Sequence, residues 1–110
     1  MGRRLVLTHH HQASGYTSSE LGASPAELLA LAAQVRARGT CAAPRIDVIE
    51  AGDLLRGQLV GDVLRLSGDA EALETLALAL EDLSTARGHQ HVPLFDDDGV
   101  ERGELIVFVT

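Results

Sequence analysis

Lysine, asparagine and tryptophan are absent from this 110-residue chain, and cysteine, tyrosine and methionine occur once each. With Tyr16, Phe95 and Phe108 as its whole aromatic stock, it offers no stacking platform for single-stranded nucleic acid. Its core must come from Leu, Val, Ile and Ala. Every cationic side chain is arginine, and the net charge of −7 argues against nucleic acid as a partner, since phosphate binding rests on clustered Lys and Arg. A lone Cys41 excludes an internal disulfide, which suits a reducing cytoplasm. No apolar run approaches the ~20 residues of a membrane span. The run after Arg3 and Arg4 stops after three residues, too short for the core of a secretory signal. The expected location is cytoplasmic, with no membrane partner.

What is there reads as one domain over 1–110, long enough for a single core. Ser24, Pro25 and Glu27 form a capping-box start. Leu28, Leu31, Ala32 and Val35 follow at helical spacing, and Gly39 is the natural stop. A second helix over about 70–86, capped by Asp69 or Ser67, buries Leu73, Leu76, Ala77, Leu80 and Leu83. "RRLVLT" and "PRIDVIEAG" read as strands, and "QASGYTSSELGA" (12–23), rich in Ser, Gly and Thr, as a surface loop. "LLRGQLV" and "VLRLSG" flank Gly61-Asp62 as a hairpin; "HQHVPLF" and "ELIVFVT" are the last two strands.

The expected fold is therefore α+β: a two-layer sandwich, two amphipathic helices on a mostly antiparallel sheet, in the order β-α-β-β-β-α-β-β. The two helices, each approached from a strand, also hint at an internal repeat, although Leu/Ala-rich helices resemble one another by composition alone. "LIVFV" is apolar on both faces, which predicts a central strand. Leu105, Val107 and Val109 fall on one face and Ile106 and Phe108 on the other; helices on one side can cover only one of these sets, and the bare set would be a patch that a homodimer buries.

Five histidines fall in two short stretches. In extended chain His89 and His91 share one face, as do His9 and His11. Two such pairs on neighbouring strands would make a four-nitrogen site for zinc, nickel or copper, and the protein would then be a metal- or ligand-binding accessory factor. The same pattern also describes imidazoles on solvated strand faces. Asp96-Asp97-Asp98 lacks the alternating ligands and closing Glu of an EF-hand, and reads as a hairpin tip. "SGYTSSELG" has neither nucleophile-elbow spacing nor a phosphate loop. Cys41 reads as a small buried hydrophobe. No nucleophile, base and orienting group assemble, so no enzyme is expected.

Ser67-Gly68-Asp69, the Leu/Ala-rich acidic helix after it, the His89/His91 pair and Glu104-Leu105-Ile106 occur in an order that resembles the immunity-protein-thirty-two family of bacterial polymorphic toxin systems. The resemblance covers about residues 57–110. The first half, with its capped helix and "HHH", departs from the family pattern. The resemblance implies a non-enzymatic cytoplasmic protein that neutralises a cognate protein toxin by binding it. Acidic side chains would supply the contacts: Asp96, Asp97, Asp98 and Glu101 on the last hairpin, or Glu74 and Glu81, with Glu71 and Asp82, on the second helix.

Overall fold

In a computed structural model the chain is described over residues 6–11, 16–40, 46–60, 63–86, 88–96 and 98–110. The first helix, α1 (Pro25–Ala37), begins as its sequence dictates. The Ser24 hydroxyl accepts from the Glu27 amide at 3.2 Å, and the Glu27 carboxylate accepts from the Ser24 amide at 2.9 Å. It ends at Ala37, two residues before the glycine expected to stop it. Arg38, not Gly39, takes the left-handed φ of 67°. That conformation disfavours a side chain, but the Arg38 guanidinium donates to the Val35 and Arg36 carbonyls and to Glu50, satisfying the helix end. In α2 (Ala70–Thr85) the cap is Asp69, which accepts from the Ala72 amide at 2.7 Å.

The strands are β1 (Val6–His11), β2 (Thr17–Ala23), β3 (Gly39–Thr40), β4 (Ile46–Glu50), β5 (Arg56–Val60), β6 (Val63–Gly68), β7 (His89–Phe95) and β8 (Glu101–Val109). The α+β class and the order of the expected elements hold, with two strands added. The Gly61-Asp62 connection and Cys41 lie outside the described residues. The short β3 forms after α1. The larger addition is β2, where a loop was expected over 12–23. Its Ser and Gly content is that of a loop, but Ser19, Leu21 and Ala23 alternate onto the core face. Gly22, on the other face, lies under the Phe108 ring, where a Cβ would sit 2.9 Å from it. The small residues are there for close packing.

Two mixed sheets form instead of one, with orders β1-β2-β8-β7 and β3-β4-β6-β5. In each, a central parallel pair (β2 with β8, β4 with β6) is flanked by antiparallel pairs. β8 is interior, as its two apolar faces require. The arrangement is a ββαββ unit used twice. The units β1-β2-α1-β3-β4 and β5-β6-α2-β7-β8 exchange their closing hairpins, so each sheet joins the opening strands of one unit to the closing strands of the other. Buried positions correspond at one constant offset: Leu21 with Leu66, Leu28 with Leu73, Leu31 with Leu76, Ala32 with Ala77, and Val35 with Leu80. The hint of duplication in the helices is thus matched by the topology.

One hydrophobic cluster runs from Leu21 to Val107 and takes side chains from both helices and both sheets. The helices lie against each other, and Arg36 of α1 clasps Glu74 and Glu81 of α2 across their outer surface. Inside, Gln34 is buried and donates to the Ile46 carbonyl at 3.0 Å, tying α1 to β4.

Candidate functional site

β7 alternates as an extended strand must, so His89 and His91 share the outer face of the first sheet. Their rings meet edge-on at 5.0 Å, and His91 Nδ1 lies 3.1 Å from the Glu104 carboxylate. The other histidine pair does not join them. β1 and β7 are the two outermost strands of that sheet, so two strands separate them. Register also sets the pairs on opposite faces: position 9 is in line with Ser19, Leu105 and Val92, whereas His91 is in line with Ile106, Glu20 and Thr8. Strand order and register therefore do not bring the two stretches to one edge or one face of the sheet. Among the described residues no three His, Cys, Asp or Glu side chains cluster as a metal site would.

The acidic candidates divide by what they hold. Asp96 organises the last hairpin, accepting from the Asp98 and Val100 amides and from Arg102 Nε at 2.9 Å. The Arg102 bond, then the amides, hold its carboxyl below the usual range. Glu101 accepts the Tyr16 hydroxyl at 2.7 Å, and this bond pushes the phenol up to about 12. Glu74 and Glu81 are both lowered by hydrogen bonds from Arg36, whose own pKa they raise. Asp98 is exposed; Asp97 lies outside the described residues. The carboxylates of Glu74, Glu81, Asp96 and Glu101 thus each hold a bond within the chain.

A different surface stands out. Between α2 and β7 lies an open groove of about 540 Å³, within the range of specific binding pockets. Its floor is apolar, made by Leu55, Ala72, Leu76, Val92 and Phe95. Asp53, Asp69 and Glu71 rim the end where α2 begins. Among the described residues no arginine lines it, and Leu54 beside it is 41 % exposed. Glu71 makes no side-chain hydrogen bond or ion pair among the described residues, while Asp53 and Asp69 each use one oxygen on a backbone amide.

The fold builds this groove from distant segments. The Asp69 amide donates to the Asp53 carbonyl at 3.1 Å, which pins the loop before β5 to the start of α2. The Phe95 amide donates to the Leu55 carbonyl at 2.9 Å, which draws β7 to the same loop. Sequence reasoning placed Asp69 as a cap, Glu71 on the exposed helix face and Leu54 in a hairpin strand that in fact begins only at Arg56, and had no role for Asp53. Two adjacent leucines after an aspartate were the only trace, and an exposed leucine by itself is unremarkable.

No family model, no curated protein and no solved structure matches the chain. Among the described residues no helix is long and apolar enough to cross a membrane.

Proposed function

We propose that this protein is a non-enzymatic binding protein whose groove between α2 and β7 takes a cationic segment of a protein partner, and that the partner is a toxin neutralised by the contact. The observation that carries the reading is the apolar floor closed at one end by Asp53, Asp69 and Glu71, with no lining arginine among the described residues. An apolar floor supplies burial, and the carboxylates select a positively charged neighbour and speed its encounter. The resemblance to immunity proteins adds support, because its segments converge here: Asp69 caps the helix at the groove's mouth and His91 lines its wall. Inhibition by covering another protein needs no catalytic group on this side of the interface.

The test is co-expression with the variable C-terminal domain encoded by the adjacent reading frame. That domain should arrest growth alone and be silenced by the wild-type chain. Reversing Asp53 and Glu71 to lysine should abolish the rescue while leaving the melting temperature within a few degrees. A neighbour encoding no toxic domain, or rescue that survives the reversal, overturns the proposal.

A further inference from the structure

The wall of the groove is the outer edge of β7. Strand β7 pairs with β8 on one side only. The Val109 amide donates to the Gly88 carbonyl, so even-numbered positions of β7 turn their backbone groups toward β8. The Asp96 amide, which donates to Val100, keeps the same parity. Odd-numbered positions turn theirs outward. Phe95 uses its outward amide on the Leu55 carbonyl, just before β5. At His89 and His91 the outward N–H and C=O, and at Pro93 the outward C=O, have no partner among the described residues.

We infer that the groove takes its partner by strand addition: an extended segment pairs with the backbone of His89, His91 and Pro93 and continues the first sheet beyond β7. An exposed strand edge is a ready template for such pairing, with main-chain bonds giving affinity and flanking pockets giving specificity. Side chains on the added strand's inner face would enter the groove between Val92 and the Ala72, Leu76 and Ala79 side of α2. At the end near Pro93 and Phe95 they meet Asp53, Asp69 and Glu71, which selects arginine or lysine there. Pro93 has no amide, so the docking register needs no acceptor opposite it. The occupant is a cationic, alternately apolar segment of another protein. Pairing of β7 with β7 of a second copy is the competing arrangement. The inference rests on the reading of the groove as a protein-binding site.

The probe is a fluorescent L-peptide of alternating valine and arginine, with versions N-methylated at every second residue in either register. Binding is read by anisotropy at low salt, and amide exchange of β7 by NMR. The wild-type chain should bind the unmethylated peptide and slow exchange at His89 and His91, and one methylation register should weaken binding about tenfold or more, as loss of outward backbone bonds implies. His91→Pro removes an outward amide that the sheet does not use, a place an edge strand tolerates proline. It should weaken binding by a similar factor. Where His91→Pro fails to fold, the methylation series decides alone. Binding that needs Asp53 and Glu71 but ignores both methylation registers overturns strand addition and leaves the groove reading standing. No binding, or binding indifferent to Asp53→Lys and Glu71→Lys, overturns both. A dimer in sedimentation that the peptide does not dissociate assigns the edge to a second copy and overturns the inference.

Discussion

Replacing Gly103 with alanine tests the parallel pair at the centre of the first sheet. Gly103 stands opposite Thr17, and a Cβ built there would lie 2.5 Å from the Thr17 carbonyl oxygen and 3.5 Å from its carbon. The backbone at Gly103 is not in the left-handed region, so alanine is conformationally allowed. In open surroundings the change would stabilise by about 0.5–1 kcal/mol through the unfolded chain. Here the obstacle is backbone, which cannot rotate aside. The start of β2 must move off β8, loosening the pairs Thr17↔Gly103 and Ser18↔Glu104. Overpacking of this kind costs about 1–3 kcal/mol, and each weakened backbone bond adds up to about 1 kcal/mol. The expected net loss is about 2 kcal/mol. In urea, with a slope of about 2 kcal/mol per molar, the midpoint should fall by about 1 M. Gly57→Ala is the internal comparison: its Cβ would also meet an atom at 2.5 Å, but that atom is Leu94 Cδ1, the movable end of a side chain. Its loss should be smaller. An unchanged or raised midpoint for Gly103→Ala at an unchanged slope would refute the pairing of β2 with β8.

Tyr16 is the only tyrosine and there is no tryptophan, so alkaline absorbance titration reads it directly. The folded protein should titrate near 12 where an ordinary tyrosine titrates near 10.0, because the bond to Glu101 holds the phenol protonated. With the folded value raised, its stabilisation is complete below the unfolded value and lost as pH rises toward the folded one. Titration at the ordinary value, or Glu101→Gln leaving it unmoved, would contradict the contact. Arg36→Gln should lower the urea midpoint at neutral pH and flatten the acid side of the stability profile. Glu74 and Glu81 are held below the ordinary carboxylate range, so their contribution is present above that range and lost as pH falls through their folded values. Parallel acid profiles for variant and wild type would show that the clasp adds nothing.

Local signals determined the helices and most strands. Ser24, Pro25 and Glu27 mark a helix start because a capping box satisfies its own amides within four residues. The stripes Leu28–Val35 and Leu73–Leu83 face the core because helical periodicity leaves no other choice. "LIVFV" was legible as an interior strand from its two apolar faces. Residues 17–23 were not legible as a strand. Their small side chains are dictated by a Phe108 ring and a neighbouring β8 that lie far along the chain. Local composition carries no record of such neighbours. The number of sheets was hidden for the same reason: hairpins are local, but the parallel pairs β2–β8 and β4–β6 join the two halves of the chain. The histidine spacing correctly put His89 and His91 on one face. Only strand order and register reveal that positions 9 and 11 lie on the opposite face at the opposite edge. The acidic groove was least legible of all. Asp53, Asp69 and Glu71 come together through two backbone hydrogen bonds, Asp69 to Asp53 and Phe95 to Leu55. Every peptide unit carries the groups for such bonds, so only the tertiary fold decides which of them meet.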